Sequence, residues 1–400
     1  MRYVFEPAEI DLGDARTTPN RVFEIQKKVE EYLSPGINIH RRDELKEQIL
    51  QEKAWALPGL INATLVYQNH MESEDTQKEI AEMMIGLAGD NQDAQRLICR
   101  SGVIQNPFPT SRQIALRALR QLAWKPGGSE QKEIAEMLRQ YRKQGNLQGQ
   151  LHLYELYFRS GQNKAYREGV EVCEEWIKAR YLDEAKELLT TLLISFPQHC
   201  VEILSSAFLA VIEISRDARK DRDFSQELVD AIPKNLFKEW VYQEDNPLIT
   251  ITLSVLKETE PPRHKAIELL WVSAVQVLKR DADWETRLST IQSSIQNEVR
   301  NCSNNLKESF LKYWMEAISK AGGGDFIIRQ VDQNDRLLKE AAALQLFFLN
   351  SKNAKQTLED LKINEPGFYE AVRGNYENIK SSKRAGSIRR NTPKGPGELA

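Results

Sequence analysis

Two pairs of side chains in the 400-residue sequence have the types and spacing for chemistry: the adjacent soft ligands His199-Cys200, and His152 with Glu155, three positions apart. A cysteine acts as nucleophile or metal ligand through its thiolate, which needs a neighbouring base, cation or metal. No second cysteine or histidine stands at zinc-ligand spacing from His199-Cys200, and the pair follows Pro197 at a helix start, so a structural role accounts for it. His152 and Glu155 share one helical face, but helix-borne metal sites draw a second such pair from a facing helix. The sequence offers none.

The acidic run of Glu72, Glu74 and Asp75 beside His70 lacks the alternating oxygen ligands and central glycine of a calcium loop. Gly322-Gly323-Gly324 follows no clear strand, and no Gly-rich stretch precedes a Lys-Ser or Lys-Thr pair, so a phosphate-cradling loop has no support. No serine nucleophile elbow is present, and a triad drawn from distant Ser, His and Asp residues is left to the fold. The reading at this level is no catalytic residue, no metal and no cofactor.

Charge offers more. Arg112, Arg117 and Arg120 on one helix, with Arg139, Arg142 and Lys143 on a later one, form a candidate interaction surface for phosphate or an acidic peptide. Glu130, Glu133 and Glu136 lie close by, and a charge-laced solvated face is the competing account. A candidate basic tail carries Lys383, Arg384, Arg389 and Arg390. Within it Arg384 precedes Ser387 by three and Arg389 precedes Thr392 by three, the pattern basophilic kinases read; phosphate on either hydroxyl would partly cancel the tail's charge.

The elements that position these residues are helices. Val170, Cys173, Trp176 and Ile177 recur at three- and four-residue spacing on one face, and Leu188, Leu189, Leu192 and Leu193 on the next, with a turn over Ala179–Asp183 and a stop at Pro197. Such a helical hairpin leaves an apolar edge that needs neighbours. Moving back 35 positions pairs Met137 with Val172, Leu138 with Cys173, Tyr141 with Trp176, Leu147 with Leu182, Leu153 with Leu188, Tyr154 with Leu189 and Phe158 with Leu193. Apolar character stays in phase with almost no identity, as in a degenerate repeat.

Tyr181, Ala185 and Pro197 occupy the relative places of the turn aromatic, the small second-helix residue and the terminal proline of tetratricopeptide repeats, and over about two units, residues 131–197, the chain resembles that family. Gly169 stands where the family prefers a large aromatic, Cys173 where it prefers glycine, and Leu192 where it prefers a small residue. No peptide-clamp residues carry over. The helix rhythm of the first third resembles HEAT or armadillo-type repeats. There, Gln77-Lys78-Glu79-Ile80-Ala81-Glu82-Met83 nearly recurs 54 residues later as Gln131-Lys132-Glu133-Ile134-Ala135-Glu136-Met137.

With 41% hydrophobic residues the chain can bury a sizeable core. Its net charge of −3 implies no global attraction to nucleic acid or acidic membranes. Trp176 and Trp271 lie on apolar stripes and read as core rather than as ligand-stacking surfaces. Four widely separated cysteines, Cys99, Cys173, Cys200 and Cys302, are expected as reduced thiols. No signal peptide is visible, and the longest nearly apolar run, Ile203–Ile214, is too short and interrupted to cross a bilayer. No membrane insertion is expected, and a cytoplasmic location is, with the nucleus as the alternative.

Along the chain the expected caps are Asn20, Ser111 and Ser129, each ahead of a helix, and Phe326–Val331 is expected to be briefly extended. The expected organisation is an irregular arm over 1–19, a helical-repeat region over 20–197, a continuing helical region over 198–321, a Gly-rich break, a helical region over 325–379 and a disordered basic tail over 380–400. The expected fold is all-α, an irregular α-solenoid of antiparallel helix pairs with a more globular helical C-terminal third. The leading functional expectation is a noncatalytic scaffold or adaptor that binds another protein or peptide along a concave face. The alternatives are nucleic-acid association through a basic groove and tail, and an all-helical enzyme with a site assembled from distant helices.

Overall fold

A computed structural model describes residues 19–34, 36–66, 73–216, 224–259 and 264–391. Residues 1–18 of the expected N-terminal arm, His70, Glu72, Pro261, Pro262 and Thr392 lie outside them. Among the described residues every regular element is helical and there is no strand, so the fold is all-α. The chain divides into two compact units, the first taking residues 1–176 and 183–196, the second 177–182 and 197–400.

The first unit is built from α1 (Pro19–Tyr32), α2 (Ile39–Gln51), α3 (Leu57–Val66), α4 (Glu74–Ala88), α5 (Gln92–Leu97), α6 (Pro109–Gln121), α7 (Gly128–Gln144), α8 (Leu147–Phe158), and most of α9 (Asn163–Lys178) and α10 (Leu182–Ser195). Helix α1 packs on α3, α4 on α6, and α7 on α8. Asn91 starts α5 by accepting hydrogen bonds from Asp93 N and Ala94 N, and Asn146 starts α8 by accepting from Gly149 N. The three caps expected from the sequence are displaced. Pro19 opens α1 ahead of Asn20, and Pro109 opens α6 because its fixed φ and missing N–H suit a first turn. Ser111 therefore lies inside α6, buried, its Oγ donating to Thr64 O at 2.8 Å. Gly127 precedes α7, so Ser129 sits in its first turn.

After α5 the chain widens into a π-helical stretch, Ile98–Ile104, closed by Gln105 N donating to Arg100 O at 2.9 Å. A Cβ on Gly102 would stand 2.8 Å from Ala115 Cβ, so glycine here lets α6 approach that backbone. The two heptapeptide copies fall on α4 and α7, where Ile80 and Ile134, and Met84 and Leu138, are buried. Met83 is buried too, whereas Met137 is only half-buried.

At the 35-residue offset, Leu138 and Cys173, Tyr141 and Trp176, Leu153 and Leu188, Tyr154 and Leu189, and Phe158 and Leu193 are all 8% exposed or less. Polar pairs link elements at similar offsets: Arg100 to Glu133 on α7 across 33 residues at 3.2 Å, Arg142 on α7 to Glu175 on α9 across 33, and Arg120 on α6 to Glu155 on α8 across 35. Exposed pairs of this kind each contribute about 0–1 kcal/mol. Their value lies in fixing register.

Gly169 lies against Phe158 and Leu192. A Cβ on Gly169 would lie 2.5 Å from Phe158 Cζ and 2.7 Å from Leu192 Cδ2. The large Phe158 and Leu192 fill the space that a side chain at position 169 would take. Phe158 in turn meets Phe196 edge-on at 5.7 Å between centroids.

The second unit contains α11 (Cys200–Arg216), α12 (Ser225–Asp230), α13 (Lys234–Tyr242), α14 (Pro247–Glu258), α15 (Lys265–Leu278), α16 (Trp284–Glu298), α17 (Asn304–Lys320), α18 (Gly324–Gln330), α19 (Arg336–Leu346), α20 (Lys352–Asn364) and α21 (Pro366–Asn391). Its core is centred on Trp271 and Trp314, both fully buried with centroids 5.3 Å apart, and Trp271 Nε1 donates to Thr252 Oγ1 at 3.0 Å. The triglycine is a close-packed turn within this unit. Gly322 takes φ +83°, Gly323 N donates to Ile318 O at 2.8 Å, and Gly324 opens α18. The segment expected to be extended, Phe326–Val331, is instead largely α18, whose Phe326 and Ile327 are buried. A short apolar run does not by itself distinguish strand from buried helix. The last helix continues to Asn391, so the backbone at 383, 384, 387, 389 and 390 is helical.

Candidate functional site

In the first unit a groove of about 590 Å³ opens between α6, α8 and α10. Helix α6 supplies Arg120, and the turn after it Ala123, Trp124 and Lys125; α8 supplies Leu151, His152, Glu155 and Phe158, with Arg159 and Gly161 just beyond; α10 supplies Glu187, Thr191, Ile194 and Ser195. The turn after α6 is closed by Trp124 N donating to Leu119 O at 3.1 Å, with Ala123 in the left-handed region at φ +50°. That geometry folds Trp124 inward, to 4% exposure, and leaves Lys125 at the exposed rim. Ile194 is 62% exposed, an apolar side chain in water.

The polar centre is a three-residue network. Arg120 donates from Nε to Glu155 Oε1 at 2.6 Å and from Nη2 to Glu155 Oε2, a two-pronged pair, while Arg159 donates from Nη2 to Glu155 Oε1 at 3.2 Å. The hydrogen bond it donates to Glu155 raises the pKa of Arg120, whereas burial lowers that of Arg159. Burial, reinforced by Glu155, raises the carboxyl of Glu187. His152 is 4% exposed and its buried Nδ1 has no hydrogen-bond partner among the described residues. Burial first, and the charge of Arg112 second, push its pKa from 6.5 down to about 4, so the imidazole is neutral at physiological pH.

The six cations expected to form one surface are dispersed. Arg112 is 1% exposed and belongs to the interior: its Nε donates to Asn106 O and its Nη2 to Tyr141 OH at 2.8 Å, with the guanidinium 4.9 Å from the Tyr141 ring centroid. Helical periodicity put it with Arg117 and Arg120, but the loop at Asn106 and helix α7 close over its side of α6. Arg117 approaches Glu74 at 3.4 Å, Arg139 pairs with Glu136 at 2.7 Å, Arg142 pairs with Glu175, and Lys143 is exposed. Only Arg120 lines the groove. Lys125 and Arg159 were missed, although Glu155 stands four residues before Arg159 and 35 after Arg120, the same offset that aligns the apolar residues.

The pair His152 and Glu155 does lie in one concavity, but among the described residues no group of three or more His, Cys, Asp or Glu side chains is placed to hold a metal ion. Cys200 is buried, and desolvation raises its thiol pKa, the opposite of an activated thiolate. No single helix among the described residues is long and apolar enough to cross a membrane. The side chains of Lys383, Arg384, Ser387, Arg389 and Arg390 are outside the described set.

The sequence matches no protein-family model and no curated protein. Among solved structures, the crystal structure of an engineered protein is similar over 90% of this chain and 99% of that one, at 17% identity and a TM-score of 0.26.

Proposed function

We propose that this chain is a noncatalytic protein–protein interaction adaptor, an irregular α-solenoid of tetratricopeptide-like and HEAT-like helix pairs that takes a segment of a partner protein in the groove between α6, α8 and α10. The observation that carries the reading is the groove itself, where a water-exposed Ile194 stands over the buried Phe158 and Trp124 in its wall, beside a small number of oriented charges. Apolar contact area with a few fixed polar groups is the composition of recognition sites. The 35-residue recurrence of burial and ion pairing supports the repeat reading. Nucleic-acid binding by the arginine surface is less well supported, because Arg117, Arg120, Arg139 and Arg142 each face a carboxylate, leaving few uncompensated cations for phosphate. The compartment proposed is the cytoplasm, with the nucleus as the alternative.

The test is purification of the tagged protein from its own cells at physiological salt, with and without nuclease, alongside the Ile194→Asp variant. A stoichiometric protein partner that survives nuclease and is lost from Ile194→Asp is the expected result. Partners lost on digestion, or retained in full by the variant, count against the proposal.

A further inference from the structure

The groove carries an imbalance of charge that narrows what it can bind. Arg120, Lys125 and Arg159 line it against Glu155 and Glu187. Beneath His152 lies Arg112, whose hydrogen-bond partners among the described residues are a backbone carbonyl and a phenol, with no carboxylate. Arg112 does not itself line the groove, so the positive excess there is the single charge by which Arg120, Lys125 and Arg159 exceed Glu155 and Glu187.

Arg159 points the same way. Its side chain is only 18% exposed, yet among the described residues its guanidinium has one acceptor, Glu155 Oε1, at 3.2 Å, which Arg120 also uses. A guanidinium has five N–H donors, so most of the desolvation of Arg159 is not offset within the chain. The Nδ1 of His152, without a hydrogen-bond partner among the described residues, adds a second buried polar group at the groove.

We infer that the groove recognises an acidic segment of the partner protein, a side-chain carboxylate seated against Arg159 and Lys125 with an adjoining apolar side chain on the exposed Ile194. The inference rests on the adaptor reading and specifies its ligand. A Lys- or Arg-bearing segment would meet the positive excess. A phosphorylated one would place two negative charges against Glu155 and Glu187, whereas a single carboxylate matches the single unshared positive charge.

The experiment is calorimetric titration of the full chain with a hexapeptide of alternating Glu and Leu, acetylated and amidated so that it has no terminal charge. Its Gln/Leu and Lys/Leu counterparts, and a Gln/Leu peptide with a free C-terminal carboxylate, complete the set. The Glu/Leu peptide is expected to bind about tenfold tighter than the Gln/Leu form, a gap that closes in Arg159→Gln and narrows with added salt. Lys125→Gln, at an exposed position that leaves the fold alone, is expected to weaken binding about threefold. Equal binding of the Gln/Leu peptide, preference for Lys/Leu, or a requirement for the terminal carboxylate overturns the inference and leaves the adaptor reading intact. No peptide binding while a partner is still captured through Ile194 also overturns it. Absence of both peptide binding and a captured partner defeats the two together.

Discussion

Gly145 and Arg180, 35 residues apart, hold the same left-handed backbone conformation, at φ +66° and +65°. Each follows the first helix of a pair, α7 or α9, and each N–H donates back to the carbonyl three residues earlier, Arg142 O or Ile177 O. The turn geometry has been kept while the residue has changed. A side chain in this region costs about 1 kcal/mol that glycine does not. Arg180→Gly, and Ala123→Gly at φ +50°, are therefore each expected to stabilise the chain by up to about 1 kcal/mol, and Gly145→Ala to destabilise it by a similar amount. Urea unfolding midpoints at unchanged slope check all three, and a lower midpoint for Arg180→Gly would show that the turn is held by the arginine side chain.

Gly169 tests the complementary exchange with Phe158 and Leu192. Gly169→Ala places a methyl inside van der Waals contact of both and is expected to cost about 1–3 kcal/mol. Shrinking the neighbour should recover part of that loss, so Gly169→Ala with Phe158→Leu is expected to be more stable than the sum of the two single changes predicts. Strict additivity in the double-mutant cycle would mean that the space at position 169 is not shared with Phe158.

The helices and their phase were legible because burial follows apolar periodicity. Leu153 and Leu188 are both 0% exposed, as their shared register implies. The charges were less legible. Arg112, Arg117 and Arg120 occupy one stretch of α6, and nothing in local spacing says that the Asn106 loop and Tyr141 enclose Arg112 alone. Arg159 was missed for the converse reason: its importance comes from a helix end that tertiary packing folds into a groove. Phe326–Val331 was misassigned because six residues are too few for a period to declare itself, and the helix there is set by the Gly322 turn and the burial of Phe326.

Arg112 joins the loop before α6 to α7, and its removal leaves Asn106 O and Tyr141 OH without the donor each accepts from. Arg112→Ala is expected to cost about 3 kcal/mol, through unpaired polar groups and a cavity, and Tyr141→Phe about 1 kcal/mol. Since the two side chains share a hydrogen bond and a ring contact, a coupling of about 1 kcal/mol is expected between them. A coupling near zero in chemical denaturation would show that the pair is an incidental contact.

His152 makes stability depend on acid. Its folded-state pKa of about 4 lies below the ordinary 6.5, because burial and the charges of Arg112 and Arg120 disfavour the imidazolium more than Glu155 favours it. Between those values the unfolded chain binds a proton at this residue and the folded chain does not. The contribution is therefore complete above pH 6.5 and is lost as the pH falls through 4. Its size is on the order of 3 kcal/mol. Carboxylates titrate in part of the same range, so the informative quantity is the difference between the wild-type chain and His152→Gln. Wild type should lose more stability than the variant on going from pH 7 to 4, and the His152 imidazole resonance should titrate near pH 4. A midpoint at 6 or above would mean that the imidazolium is tolerated in the folded chain, and the slope attributed to it would then have to come from another group.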